Sequence, residues 1–158
     1  MVAEKMVEYF AGDVRRINHA LKVDAFASML ARGTLVDGET AEIIHYAAIL
    51  HDIGIKVSEK KYNSSAGNYQ ELEGPPIARK ILSDLQVEKK TIDRVCFIIG
   101  NHHSYSKVDG IDFQIIIEAD FLVNAFEDAM KPDAIKSVLS RIFKTETGKH
   151  LLQSMYLG

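Results

Sequence analysis

The sequence predicts an all-α fold, a helical bundle of about six to eight helices, on three observations. Apolar residues recur at helical spacing in one segment after another. No segment shows the apolar–polar alternation of a half-buried strand. Helix punctuation falls between the segments: Asp13 as an N-cap, Gly54 as a stop, and Pro75-Pro76 as a first turn. With 47% hydrophobic and 26% charged residues, the 158-residue chain can fill one core and keep a soluble surface, so one domain over residues 1–158 is expected.

The first helix is expected over residues 3–11, with Val7 and Phe10 as apolar positions. A second follows Asp13 to about residue 31, with Val14, Ile17, Leu21, Ala25 and Met29 as its stripe and His19 within it. Residues 33–38 read as a loop. The third helix runs from about 39 to 52, buries Ile43, Tyr46, Ala47 and Leu50, carries His51 toward the core and leaves His45 on the surface. Gly54 fits a left-handed helix stop. Residues 55–72 are polar and read as a long loop. A fourth helix starts at Pro75-Pro76 and carries Ile77, Ile81, Leu82 and Leu85. The fifth spans about 88–102 with Ile92, Val95, Cys96 and Ile99 inward. The sixth, about 113–130, is apolar on nearly every side in its first half, which predicts a central position. A last amphipathic helix covers 134–143, and the tail to residue 158 shows no clear pattern.

The bulk properties exclude several classes. A net charge of -3 without a basic block leaves no electrostatic track for nucleic acid and no polybasic membrane anchor. No apolar run approaches the ~20 residues that span a bilayer, and the charged N-terminus is not a signal peptide. The single cysteine, Cys96, lies in an apolar run and reads as core packing. A cytoplasmic protein is the expectation, with a homodimer as the oligomeric state it allows.

Against this apolar background, three helices each place ionisable groups among hydrophobic neighbours: His19, the pair His51-Asp52 and Asp120. Asp120 needs a partner, because an unpaired buried charge costs several kcal/mol. Two imidazoles and two carboxylates suit one divalent ion of the manganese, iron, cobalt, nickel, zinc or magnesium kind.

Arg16-Ile17-Asn18-His19, Ile49-Leu50-His51-Asp52-Ile53-Gly54, Ile99-Gly100-Asn101-His102-His103 and Glu118-Ala119-Asp120 together resemble the HD-domain superfamily of metal-dependent phosphohydrolases. The resemblance spans about 15–125, leaving the helix and tail of 132–158 outside it. It implies that His19, His51, Asp52 and Asp120 hold one divalent metal and that a metal-activated water attacks phosphorus, with Asp52 catalytic as well as ligating. It implies that Lys56 approaches a substrate phosphate, and that His102 binds phosphate or a second metal. The stretch Tyr69 to Ala78 lacks the extra histidine of two-metal members; Gln70 is a poor substitute, and Glu71 or Glu73 an alternative. This favours a mononuclear phosphohydrolase of a small phosphate ester or nucleotide. The alternatives are a nucleotide- and metal-binding sensor without turnover, and a dinuclear iron oxygenase of the same fold.

Overall fold

The computed structural model describes residues 1–158 as nine α-helices with no strand: α1 (Val2–Phe10), α2 (Val14–Gly33), α3 (Gly38–Leu50), α4 (Ile55–Tyr62), α5 (Gly67–Asp84), α6 (Lys89–Ile99), α7 (Ile111–Glu127), α8 (Pro132–Arg141) and α9 (Glu146–Tyr156). A 3-10 turn, Tyr105–Lys107, joins α6 to α7. The fold is all-α, as expected, with one helix beyond the upper count. No helix is long and apolar enough to cross a membrane.

The helix starts are set by short polar side chains. Asp13 accepts a hydrogen bond from the Arg16 amide at 3.2 Å and starts α2. Asp37 accepts from the Thr40 amide at 2.7 Å and starts α3. Each satisfies a backbone donor that the helix itself leaves without a partner. α7 is the central helix. Phe113, Ile115, Ile116, Ile117, Ala119, Leu122 and Val123 are all buried, so it has almost no solvent face until its last turns. α2 packs on both α3 and α7, and α3 also reaches α6 and α7. One cluster of 33 buried apolar residues, drawn from every helix except α4, forms the core.

Several expectations are corrected by the packing. The stripe assigned to α2 faces outward: Val14, Leu21 and Met29 are exposed, while His19, Ala20, Val23, Ala27, Leu30 and Ala31 are buried. α2 is apolar on two sides, and the side with small residues lets α3 and α7 approach closely. Second, residues 55–72 hold α4 and the first turn of α5 rather than a long loop. Pro75 and Pro76 lie inside α5, where they remove two backbone donors. The turns ahead of them are anchored from outside. Tyr69 stacks on Tyr62 with ring centroids 4.1 Å apart, Gln70 donates to Ser65 O at 2.6 Å, and Glu71 accepts from Ser104 Oγ at 3.0 Å.

Third, the patternless tail forms α9, capped by Thr145 Oγ1, which accepts from the Gly148 amide at 3.0 Å. Fourth, Gly54 is right-handed, with φ -75°, and is not a left-handed stop. It is required by space instead. A Cβ there would lie 2.7 Å from Gln70 O and 2.7 Å from Gly74 N, so the turn after α3 meets α5 backbone to backbone. His45 is half-buried rather than simply on the surface; its Nδ1 pairs with Asp24 Oδ1 at 2.8 Å.

Candidate metal centre

Four elements deliver the polar cluster. α2 contributes His19 from its buried face, and α7 contributes Asp120 from the edge of its apolar body. His51 and Asp52 lie in the turn after α3, where the helix has ended and both side chains can turn to one point. His102 lies in the turn after α6, three residues beyond Ile99. The expected helix ends, at 52 and 102, are thus turns, and the turns are what bring the side chains together.

The donor atoms converge closely. His19 Nε2 is 3.2 Å from His51 Nε2, 3.1 Å from Asp120 Oδ1 and 3.3 Å from Asp52 Oδ2. His51 Nε2 is 3.4 Å from both Asp52 Oδ2 and Asp120 Oδ1. His51 is fully buried, and His19 nearly so.

The opposite ring nitrogens explain why Nε2 points inward. His51 Nδ1 donates to Ala48 O at 2.7 Å, and His102 Nδ1 donates to Ile99 O at 2.7 Å. His19 Nδ1 lies 2.8 Å from the Glu127 carboxylate. Each Nδ1 carries the proton, so in the neutral rings each Nε2 presents a lone pair. Two lone pairs and two carboxylate oxygens at 3.1–3.4 Å repel one another unless a cation or protons sit among them.

The protons of the metal-free cluster follow from this. Burial disfavours a charged His51, yet Asp52 and Asp120 beside it hold its pKa up to about 10. Burial likewise opposes a charged His19, and its hydrogen bond to Asp120 still raises it. Burial alone would raise the carboxylates, but His51 and His102 lower Asp52, and His19 and His51 lower Asp120.

A divalent ion fits the same place. Around an octahedral ion with bonds of about 2.1 Å, neighbouring donors stand about 3.0 Å apart, close to the separations found. His19, His51 and Asp120 form one group of converging donors, with Asp52 Oδ2 against both imidazoles. Asp52, His102 and His103 form a second. His102 Nε2 lies 3.4 Å from Asp52 Oδ1 but makes no hydrogen bond, leaving a buried ring nitrogen without a partner. His103 Nε2 is 3.1 Å from Gln70 Oε1, in the stretch where two-metal relatives were expected to carry a histidine.

Five of the six residues singled out in the sequence therefore meet: His19, His51, Asp52, Asp120 and His102. Lys56 does not join them. Its ammonium donates to Tyr9 O at 2.8 Å, at the C-terminal end of α1, and lies over the Tyr9 ring. α4 starts immediately after Gly54, and this turns Lys56 outward. The other proposed substitutes are also engaged elsewhere: Glu71 holds Ser104 and the His103 amide, and Glu73 holds Lys61 and Tyr62. The residue that sequence reasoning missed is Glu127, 108 positions from His19 and joined to it only by the fold. A cavity of about 230 Å3 opens onto His19 and Asp52, walled in part by Arg15 and Arg16.

No curated protein sequence matches the chain. Among solved structures, the chain is similar to the crystal structure of a predicted HD superfamily hydrolase from an uncultured Thermotogales bacterium. The two are 24% identical, with a TM-score of 0.70 over 99% of this chain and 83% of the other. The family model described as HD domain matches residues 16–144, which include every residue of the cluster. The chain belongs to the HD-domain family, a family of metal-dependent hydrolases.

Proposed function

We propose that this protein is a metal-dependent phosphohydrolase of small phosphate esters, a class that includes nucleotides. The observation that carries this reading is the convergence of His19 Nε2, His51 Nε2, Asp52 Oδ2 and Asp120 Oδ1 beside a polar cavity with arginine in its wall. These four side chains would hold one divalent ion. When bound, the ion supplies Lewis acidity toward a phosphoryl oxygen and acidifies water in the site.

The chain's own residues do the rest. Ala48 O and Ile99 O fix the tautomers of His51 and His102, and Glu127 fixes that of His19. Asp52 divides its carboxylate, with Oδ2 toward His19 and His51 and Oδ1 toward His102. His102 Nε2, a buried lone pair 3.4 Å from Asp52 Oδ1, can take the proton that the attacking water loses and pass it to the departing alkoxide. Arg16 is tied to Asp13 and Glu59. Arg15 makes no ion pair and takes the role that the resemblance gave to Lys56, meeting substrate phosphate.

The test is metal-stripped protein reconstituted with manganese, cobalt, nickel, magnesium or iron and assayed against nucleoside mono- and triphosphates, sugar phosphates and generic phosphodiesters. Metal-dependent phosphate release, absent in Asp52→Ala, is expected. Intact return of a tightly bound nucleotide under every metal would replace the enzyme with a sensor. The grouping of Asp52, His102 and His103 supports a dinuclear reading. Two ions per chain would favour it, and one would leave the mononuclear reading standing.

A further inference from the structure

The cavity beside the cluster has a composition that bears on what the substrate carries besides its phosphate. Only one of its nine lining residues, Ile55, is hydrophobic. Pockets for drug-sized ligands and cofactors are mostly apolar and run from about 300 Å3 upward. This one is about 230 Å3 and almost wholly polar. Beyond this one isoleucine it offers no apolar slab, and no Phe, Tyr or Trp face on which a nucleobase could stack.

The polar groups divide into two kinds. Some are engaged by the protein: Arg16 by Asp13 and Glu59, and Glu127 by His19 and Lys22. Four are not. Arg15, Ser65, Asn124 and Asp128 line the cavity, and no side-chain hydrogen bond or ion pair within the protein uses them. They offer a guanidinium, a hydroxyl, an amide and a carboxylate.

Their order along the helices is informative. Arg15 stands one turn before His19 on α2, beside the metal ligands, where an anion is expected. Asn124 stands one turn beyond Asp120 on α7, and Asp128 caps that helix, two turns and about 12 Å of helical rise from Asp120. A carboxylate at that distance is far enough from a bound phosphate to avoid strong repulsion in water. It accepts hydrogen bonds and gives none, so it suits a ligand that brings its own O–H donors.

We infer that the substrate is the phosphate monoester of a small polyhydroxylated alcohol, such as a sugar phosphate, recognised through its hydroxyls by Asn124 and Asp128. This rests on the phosphohydrolase reading above and narrows it. A nucleotide enters only by its ribose phosphate, with the base outside the cavity and adding little.

The experiment compares ribose 5-phosphate with AMP and UMP, which share the ribose phosphate and differ by the base. Reconstituted wild type, Asn124→Ala and Asp128→Ala are used, with bound metal measured in each. The base is expected to change kcat/KM by less than about threefold, and each substitution to raise KM for ribose 5-phosphate about tenfold at equal metal content. A gain above tenfold from either base, or variants with wild-type KM, would overturn the inference while leaving the phosphohydrolase standing. Absence of turnover on every phosphate ester, with metal bound, would remove the phosphohydrolase reading itself and this inference with it.

Discussion

Two carboxylates on α7, Glu118 and Asp120, are two residues apart and do opposite work. About 200° of helical rotation separates them, so they face different parts of the molecule. Glu118 is fully buried and fully satisfied. It accepts from Gln114 Nε2 at 2.6 Å, Lys144 N at 3.0 Å, Thr145 N at 3.2 Å and Thr145 Oγ1 at 2.6 Å. Those donors tie the start of α9 to the central helix, and the carboxylate occupies the space where a Cβ of Gly148 would stand. Asp120 is less buried and has no such donors. Its neighbours are the Nε2 atoms of His19 and His51, which hold protons only while the site lacks a cation. A buried carboxylate is thus no sign of chemistry by itself. A ring of donors makes it structural, and a ring of lone pairs makes it a place for a positive charge.

The sharpest way to break the contrast is to remove each carboxylate in turn. Asp120→Ala should abolish metal retention, a loss larger than the ~100-fold that follows removal of a merely supporting group. Its metal-free melting temperature should fall less than that of Glu118→Ala, because Asp52 still faces both imidazoles and the protons that Asp120 held can be shed. Metal content after dialysis and a melting curve decide both points. Retained metal would take Asp120 out of the ligand set.

Glu118→Ala should do the reverse. Three donors buried around Thr145 lose their acceptor, for a cost of about 3–5 kcal/mol in folding. Urea unfolding reads the loss, and metal affinity of the protein that remains folded should be unchanged. A weakened site in a stable protein would erase the distinction.

Glu127→Ala sharpens it further, because Glu127 belongs to the same helix and touches the site only through His19 Nδ1. Metal affinity should fall about 10–100-fold with little change in stability. An unchanged affinity would show that backbone packing alone orients His19.

The smallest effect, taken per unit, is that of pH. The raised pKa of His51 keeps a proton in the metal-free cluster below about 10, and a metal needs the neutral ring. Affinity should therefore rise with pH, about tenfold per unit for each proton displaced, until about pH 10. Calorimetry in buffers of different ionisation enthalpy counts the protons released, and binding without release would contradict the cluster's charge state. In the metal-free protein the sign is opposite. The stability from the raised His51 is complete below its ordinary value of 6.5 and is lost as pH rises through about 10.

The same contrast explains what could be read from the sequence. His19, His51, Asp52 and Asp120 stand out because each is ionisable among apolar neighbours, and helical periodicity located α2, α3, α6 and α7. That local signal also treats Glu118 and Asp120 alike, since their difference lies in Lys144 and Thr145, 26 and 27 residues away. Lys56 looked placed for phosphate because it follows the His-Asp pair closely. The turn at Gly54 and the start of α4 then send it to Tyr9 O. α5 starts earlier than Pro75 suggested because Tyr69, Gln70 and Glu71 are anchored by contacts across the fold. The stripe chosen for α2 was a real apolar face, but the small residues opposite it allow closer packing.

The close approach of Gly54 to Gly74 separates what can vary from what cannot. On one side of the cluster the dimensions are set by main chain against main chain, so even a methyl group is an all-or-nothing change. On the other, Ser65, Asn124 and Asp128 are side chains on a loop and on the last turns of a helix, free of internal partners. Divergence or redesign can exchange these three, and with them the alcohol that is accepted, while the ligands and the glycine pair stay as they are. A single metal-holding frame can in this way serve a succession of substrates.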